Sequence, residues 1–457
     1  MENIGRATFG SKFGALMATL GTAVGLGNIW RFPYMCGANG GGAFLFVFLL
    51  CALLLGLPVM ITEFFIGRHS KKNATGAFDV LAPGTHWNVI GFNGVLAAFL
   101  ILGFYTVVSG WTMGYMFQSL SGSLNGKTAD DFTSDFSLFI SSAPRLMFWT
   151  VIVVIMTHYI IYSGVKKGIE RSAKFMMPLL FIVLFALTIR SITLPGAKAG
   201  LQFLFNPDFS KITSATILSA MGQSFFSLSI GMGCLITYSS YFGKTTNIQT
   251  TAFQVTLLDT FVAVLASVMI FPAVFSFGIQ PTAGAELVFI TLPNVFEQLP
   301  LGNLWAFVFY LLLAVAAITS IISLHEVVTL YIHEEHHVTR KKAAIYVSAG
   351  ILVLASISSL SLGIWKEYTL FGLTFFDFLD YITAKIMLPF GGMMICIFVG
   401  RRIEKKILKE ELTNKGTTSF YFFNIYAFFI KHIAPVAIGL IFLYETGLIH
   451  WIMNLLN

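Results

Sequence analysis

Charged residues are scarce in this chain. Asp, Glu, Lys and Arg together make up 11% of its 457 residues, whereas hydrophobic residues make up 56%. Because a soluble domain carries roughly 25% charged residues, the composition excludes a soluble globular protein. It predicts a polytopic membrane protein.

Cysteine is also rare, and the basic residues are dispersed. Cys51, Cys234 and Cys396 lie inside apolar runs and Cys36 lies at the end of one, so we infer neither a disulfide framework nor a metal site built on cysteine. The formal net charge is +7, but the basic residues lie in short loops between apolar runs and form no stripe with interleaved aromatics. We therefore expect no nucleic-acid partner.

Windows of about 20 apolar residues predict eleven membrane-spanning helices. They lie near residues 10–36, 41–67, 87–120, 146–163, 168–190, 216–242, 248–278, 303–333, 342–363, 373–400 and 419–448. With the N-terminus inside, few basic residues fall in the outer loops: Lys127, Arg145, Arg190, Lys198, Lys211 and Lys366. The positive-inside rule therefore predicts a multi-pass protein of the cell (inner) membrane with a cytoplasmic N-terminus. The odd number of spans then places the C-terminus outside.

Two of the predicted spans contain helix-breaking glycines. The first carries Gly21, Gly25 and Gly27, and the sixth carries the stretch 227–233. A glycine in a helix interior costs roughly 1 kcal/mol against alanine, and an opened helix in lipid is tolerated only where protein or a water-filled cavity covers the freed backbone. Close packing through small residues is the alternative interpretation. A dinucleotide fingerprint is excluded, because no third glycine follows at the required spacing.

Paired interruptions at corresponding positions of two halves point to a transporter site at the bilayer midplane. We divide the chain into a first repeat of five spans (1–190), an outer loop (191–215), a second repeat (216–400), and a cytoplasmic basic loop with the eleventh span (401–457). An odd number of spans per repeat gives the two copies opposite orientations. The outer loops 121–145, 191–215 and 279–302 are long enough to contain short helices and to form a lid.

Five motifs make the sequence resemble the neurotransmitter:sodium symporter family. They are Gly21-Thr-Ala-Val-Gly-Leu-Gly-Asn-Ile-Trp-Arg-Phe-Pro33, Asn39-Gly-Gly-Gly-Ala-Phe44, Glu63 before Gly67-Arg68, Ser109-Gly-Trp111 and Gln223-Ser-Phe-Phe-Ser-Leu-Ser229. Gly231-Met-Gly233 and the missing twelfth span are similar to the bacterial eleven-helix branch that transports hydrophobic amino acids. The resemblance implies an all-α fold of inverted five-helix repeats with broken first and sixth helices. It also implies sodium-coupled symport of neutral, mainly bulky hydrophobic L-amino acids by alternating access, and no enzymatic activity.

The resemblance further implies two sodium sites. The first comprises the substrate carboxylate with Ala23, Asn28, Ser227 and Asp259, and the second comprises Gly21, Val24, Ala316, Thr319 and Ser320. Thr319 and Ser320 are alternatively ordinary helix hydroxyls that bond back to the preceding turn. An ionisable side chain inside a membrane span is energetically costly, so we infer that it has a function. Asp259 either ligates sodium or supplies the charge that chloride supplies in relatives, so we expect chloride-independent transport; the alternative is an aspartate that faces water.

The half-helix that starts at Leu26 and Gly27 presents free N–H groups and a positive dipole to an anionic group, which suits an amino-acid carboxylate. By resemblance, Tyr105 donates its hydroxyl to the same carboxylate, and Gly25 replaces the aspartate of amine-transporting relatives. The substrate ammonium is expected at carbonyls of Ala23, Phe226 and Ser227, with help from Ser229. The side-chain pocket is expected to be lined by Val24, Ile101, Phe226, Met232, Ser320 and Leu324. Any one of them taken alone is better explained as an ordinary core residue.

The resemblance also assigns gates on both sides. The outer gate comprises Arg31, Phe226 and Asp380, and the inner gate comprises Arg6, Glu334 and Tyr241. Gly168 and Pro178 either permit unwinding of the fifth span for sodium release or simply mark a helix start and a proline kink. The sequence leaves three roles open for Lys385. Its ammonium reaches the membrane surface, it pairs with an acidic side chain, or it affects the anion dependence of transport. Glu63 is expected to bind backbone freed at the break of the first span.

The predicted partners are an L-amino acid, sodium ions and the lipid bilayer, and the sequence leaves the oligomeric state open. An alternative substrate is another small zwitterion. An ion channel and a substrate-sensing receptor are functions of other classes. The paired breaks count against a channel, and no signalling domain or long cytoplasmic tail supports a receptor.

Overall fold

The computed structural model describes residues 7–278 and 287–448. Arg6 of the predicted inner gate and part of the outer loop 279–302 therefore lie outside the described residues. Nine helices within the described ranges are long and apolar enough to cross a membrane. They are Gly42–Ser70, Asn88–Leu120, Ala143–Tyr162, Val165–Ile192, Ile248–Ser276, Gly302–Glu335, Arg340–Ser361, Phe375–Arg402 and Phe423–Glu445.

Two further segments complete the predicted series, and both are broken. The first span is the pair Lys12–Ala23 and Gly27–Ala38, bent by 51°. The sixth span is the pair Ser214–Ser227 and Cys234–Ser239. The all-helical fold with interrupted first and sixth spans agrees with the sequence prediction.

The break in the first span is shorter than the glycine pattern suggests. The helix begins after Ser11, whose hydroxyl accepts the N–H of Gly14 at 3.0 Å, as Ser does at a helix N-cap. It then runs through Gly21 and ends at Ala23, and Val24 is extended with ψ of 110°. The side-chain oxygen of Asn28 accepts the freed N–H of Gly25 at 3.1 Å. Gly21 is therefore part of the helix, and only residues 24–26 interrupt it.

The break in the sixth span depends on left-handed backbone. Ser229, Gly231 and Gly233 have φ of 54°, 82° and 72°, a region that glycine adopts without penalty and other residues rarely adopt. Ser229 is held there by its hydroxyl, which donates to the carbonyl of Thr22 at 2.7 Å. This bond joins the two breaks directly.

Glu63 of the second span supports the sixth span. Its Oε1 accepts the N–H of Gly231 at 2.7 Å, and the residue is fully buried. The expectation that Glu63 forms a hydrogen bond with backbone freed at the break of the first span is therefore wrong. The carboxylate lies where the sixth span exposes an amide, because the second span packs along the half-helix Cys234–Ser239.

The third and eighth spans pack along each other beside the two broken segments. Of the most apolar window of Gly302–Glu335, 83% is buried, so the eighth span lies at the centre of the bundle. The outer loops contain short helices, as their length predicts: Ala129–Ser141, Ala197–Phe205, Phe209–Lys211 and Leu292–Glu297. On the opposite side lie Gly76–Leu81 and Lys405–Leu412.

Candidate substrate and sodium sites

Asn28, Ser227 and Asp259 meet between the two breaks. The amide nitrogen of Asn28 donates to Asp259 Oδ1 at 2.7 Å and to the Ser227 hydroxyl at 2.9 Å, and that hydroxyl donates to Asp259 Oδ2 at 2.7 Å. All three residues are buried, with Asp259 0% exposed, so the alternative of an aspartate that faces water is wrong. The carboxylate of Asp259 and the hydroxyl of Ser227 are the oxygen ligands that hard cations prefer, whereas the amide oxygen of Asn28 is turned toward the N–H of Gly25 in this conformation.

A second group of oxygens lies between the first and eighth spans. The Ser320 hydroxyl lies 3.5 Å from the carbonyl of Val24, and Thr319 Oγ1 donates to the carbonyl of Ala316 at 2.9 Å. A Cβ on Gly21 would lie 3.4 Å from Thr319 Cβ, so Gly21 belongs to the same neighbourhood. The structure brings together all five residues predicted for the second sodium site. Both hydrogen bonds of the Thr319 hydroxyl, to the carbonyls of Val315 and Ala316, lie within its own helix, as the alternative interpretation expects.

A small cavity lies beside these two groups. The residues that line it are Thr22, Ala23, Gly25, Gly27, Ile101, Tyr105, Phe226, Ser229, Met232, Cys234, Ser320 and Leu324. Of the residues predicted for the substrate pocket, Val24, Leu26 and Ser227 do not line it. Thr22 and Cys234 were missed, although each lies within two residues of a helix break, and that position was the available signal.

Gly25 is required by close packing. A Cβ built on it would lie 2.4 Å from Ser320 Oγ and 2.9 Å from the Tyr105 hydroxyl. The Tyr105 hydroxyl in turn accepts the N–H of Leu26 at 3.0 Å. A hydroxyl that accepts one hydrogen bond still carries a proton to donate. The cavity therefore has a donor at the end of the broken helix and no room for a side chain on Gly25.

Phe226 lies between this cavity and a larger one of about 490 Å³, because it lines both. The guanidinium of Arg31 stacks 4.3 Å above the Phe226 ring, a favourable cation–π distance. Arg31 and Asp380 both line the larger cavity, but in the described part of the chain no ion pair within 4 Å joins them. Their approach on substrate binding remains a prediction.

Lys385 also lines the larger cavity. Its ammonium lies 3.5 Å from a carboxylate oxygen of Glu445 at the end of the eleventh span. Of the three roles that the sequence left open for Lys385, this contact corresponds to pairing with an acid. The side chain of Lys385 is 40% exposed, so this pair contributes at most about 1 kcal/mol.

The opposite side of the bundle contains a buried charge pair that the sequence analysis missed. Glu326 of the eighth span is 0% exposed and accepts hydrogen bonds from two nitrogens of Arg340, at 2.7 and 2.5 Å. The hydroxyl of Tyr241 donates to the same carboxylate at 2.5 Å. A glutamate inside an apolar span was the available signal. Glu334 accepts from the backbone and side chain of Asn73 at 2.9 and 3.0 Å.

The fifth span is helical through both Gly168 and Pro178. Its first turn, Val165–Glu170, is π-helical. The unwinding that the sequence suggests is absent from this conformation. It remains a prediction for another state of the transport cycle.

Comparison with known proteins gives one consistent answer. The model of the sodium:neurotransmitter symporter family matches residues 6–135 and 139–451. An uncharacterized sodium-dependent transporter of Bacillus subtilis, YhdH, is 40% identical over 96% of this chain and 97% of its own length. An uncharacterized sodium-dependent transporter of Haemophilus influenzae is 39% identical over 97% of this chain and 98% of its own. The crystal structure of MhsT in complex with L-phenylalanine is 43% identical, with a TM-score of 0.89, over 96% of this chain and 100% of that one.

Proposed function

Because the chain belongs to the sodium:neurotransmitter symporter family and is a sodium-dependent, multi-pass membrane transporter, we propose that it carries neutral, mainly bulky hydrophobic L-amino acids. The observation that carries this proposal is the cavity between the two breaks. No Asp, Glu, Lys or Arg of the described chain lines it, and Ile101, Phe226, Met232 and Leu324 supply apolar walls. MhsT, which has the same fold, was crystallised with L-phenylalanine.

The ends of the cavity suit the two charged groups of a free amino acid. The broken first span provides the positive end of a helix dipole. The N–H groups of Gly25 and Leu26 are bonded there to Asn28 and Tyr105, and the Tyr105 hydroxyl still has a proton to donate. A cationic amine without a carboxylate would meet these donors unfavourably. Gly25 leaves no place for an acidic side chain that would pair with such an amine.

Two sodium ions couple to the substrate in this proposal. One binds with Ala23, Asn28, Ser227 and Asp259, and the substrate carboxylate completes its ligands. The other binds with Gly21, Val24, Ala316, Thr319 and Ser320. The shared carboxylate makes substrate and sodium binding mutually favourable, because each ligand supplies part of the other's site. The chain works by alternating access in the cell membrane, with its N-terminus inside and its C-terminus outside.

Transport is chloride-independent in this proposal, because Asp259 supplies a fixed negative charge among the sodium ligands. Its hydrogen bonds with Asn28 and Ser227 hold the carboxylate in place. Whether Asp259 also contacts the ion directly depends on a rearrangement of those two bonds on ion binding.

The deciding experiment is uptake of labelled tryptophan, leucine and glycine into proteoliposomes under imposed sodium, potassium or proton gradients. We expect sodium-driven uptake of tryptophan and leucine and little uptake of glycine. Preference for glycine or for another small zwitterion would reject the assigned substrate class. Conduction without saturable uptake would reject transport altogether in favour of a channel.

A second experiment tests the role of Asp259. Uptake by the unmodified protein should be unchanged when gluconate replaces chloride. Asp259→Asn should lose most of its uptake in gluconate, and chloride should restore part of it. A wild-type protein that stops transporting without chloride would refute the proposed role.

A further inference from the structure

A large basic cavity lies at one end of the bundle, far from the substrate site. It has a volume of about 760 Å³ and is formed where the fourth span ends, the fifth begins and the ninth begins. The residues that line it are Tyr159, Ile160, Tyr162, Ser163, Lys167, Gly168, Arg171, Ser172, Phe175 and Lys341. This is the end that the distribution of basic residues marks as cytoplasmic.

Three cations face this cavity without an acidic neighbour in its wall. Lys167 and Arg171 are on the fifth span and Lys341 is on the ninth, and all three are exposed. Within residues 7–278 and 287–448, no ion pair is formed by any of them. The ammonium of Lys341 lies 4.9 Å over the ring of Tyr162, which directs it toward the fourth span.

The nearest acids are engaged elsewhere. Glu170 lies between Lys167 and Arg171 in sequence, but its carboxylate is bound by Lys174 at 2.6 Å and by the N–H of Gly10 at 2.6 Å. Glu326 is bound by Arg340. The positive charge of the cavity is therefore not balanced by the described protein, and an anion that entered it would be attracted by all three cations.

The remaining wall of the cavity contains exposed aromatic side chains, which suit a ligand with an apolar portion. Tyr159 and Phe175 are 72% and 69% exposed on helices that cross the membrane. The hydroxyl of Ser172 adds a hydrogen-bond donor beside the cations, whereas that of Ser163 already donates to the carbonyl of Tyr159 at 2.8 Å. Arg binds phosphate oxygens in a bidentate manner, and Lys binds them as a point charge. Basic pockets between spans on the cytoplasmic side are suited to anionic lipid headgroups.

We propose that this cavity is a binding site for the phosphate headgroup of an anionic phospholipid from the inner leaflet. The headgroup is held by Lys167, Arg171 and Lys341, and the acyl chains lie along Tyr159 and Phe175. A bound lipid links the start of the ninth span to the hairpin between the fourth and fifth spans. That hairpin is already closely packed, since a Cβ on Gly168 would lie 1.9 Å from the carbonyl oxygen of Ile160.

The test is native mass spectrometry of the purified full-length protein, titrated with phosphatidylglycerol, cardiolipin or phosphatidylcholine. We expect retention of the two anionic lipids by the wild type, and roughly hundredfold weaker retention by the triple variant Lys167→Gln/Arg171→Gln/Lys341→Gln. The matched control Lys405→Gln/Lys406→Gln/Lys415→Gln removes the same charge from the same side and should retain lipid like the wild type. Equal retention by the cavity variant and the control would overturn the proposal.

Two further measurements distinguish charge from side-chain shape and a lipid from a soluble anion. The charge-conserving variant Lys167→Arg/Arg171→Lys/Lys341→Arg should keep the wild-type retention, and its loss of lipid would show that charge in this cavity is not what binds. Millimolar inorganic phosphate should displace little lipid and should not raise the melting temperature as phosphatidylglycerol does. Phosphate that reproduces both effects would assign the cavity to a soluble anion and reject the lipid.

Discussion

The backbone N–H of Leu26 donates a hydrogen bond of 3.0 Å to the hydroxyl of Tyr105. Leu26 lies where the first span is interrupted, and Tyr105 lies in the middle of the unbroken third span. One side chain therefore satisfies an amide that the break exposes. The same hydroxyl borders the cavity assigned to the substrate.

Tyr105→Phe removes this hydroxyl and keeps the ring. We expect substrate binding to weaken about tenfold, because a hydrogen bond to a charged group contributes roughly 1.5 kcal/mol. The measurement is the concentration dependence of leucine uptake in proteoliposomes. Tyr115→Phe is the control, since Tyr115 is buried in the same helix but lines neither cavity. Equal effects of the two substitutions would remove Tyr105 from its assigned role.

Gly25→Ala adds a methyl group where none fits. The new Cβ would lie 2.4 Å from Ser320 Oγ, so Ser320 or the first span must move. We expect at least a tenfold loss of uptake, because displacement of Ser320 also disturbs the proposed second sodium site. Gly439→Ala should transport normally, since its Cβ would meet only Met393 at 3.5 Å. An active Gly25→Ala would show that the cavity is more compliant than its packing indicates.

Met232→Phe tests the side-chain end of the cavity. Met232 is 5% exposed and lines the cavity between two left-handed glycines. A larger, stiffer ring reduces the space for the side chain of the substrate, so tryptophan uptake should fall about tenfold more than leucine uptake. Competition between the two labelled substrates measures the ratio. Met393→Phe serves as the control, and a loss that is equal for both substrates would place Met232 outside the specificity pocket.

Glu411→Gln tests an ion pair between the second span and the helix Lys405–Leu412. The Glu411 carboxylate binds Arg68 Nε at 2.5 Å and His69 at 3.2 Å. Burial by itself would raise the pKa of Glu411, but the hydrogen bond with His69 and the charge of Arg68 outweigh it and lower that pKa. At neutral pH we expect the variant to lose about 2 kcal/mol of unfolding free energy, because the buried guanidinium of Arg68 loses the opposite charge beside it and keeps only its hydrogen bonds, such as those to Thr246 and Asn414.

The pH dependence of that loss has a definite sign. A lowered folded pKa contributes stability that is complete above the unfolded glutamate pKa of about 4.3 and is lost as the pH falls through the folded pKa. The difference between wild type and Glu411→Gln should therefore shrink below about pH 4 in detergent unfolding experiments. The exposed neighbour Glu410→Gln should show no difference at any pH. A gap that is constant down to pH 3 would contradict the electrostatic explanation.

The spans, the two interrupted segments and the family can be predicted from the order of the amino acids alone. These features are local: an apolar window is read from about 20 consecutive residues, and glycines weaken the helix in which they lie. The grouping of Asn28 with Ser227 and Asp259 could be predicted only from the resemblance to the family. Helix periodicity alone does not say which residues of the first, sixth and seventh spans meet.

The pairing of polar groups that are distant in sequence is visible only in the folded chain. Glu63 binds Gly231 of the sixth span, Glu326 pairs with Arg340, and Lys385 lies beside Glu445. The basic cavity likewise needs the fourth, fifth and ninth spans together. Such partnerships depend on how helices far apart in sequence rotate and pack, since burial forces each charged or freed polar group to find a partner in space. No pattern within a single helix specifies that partner.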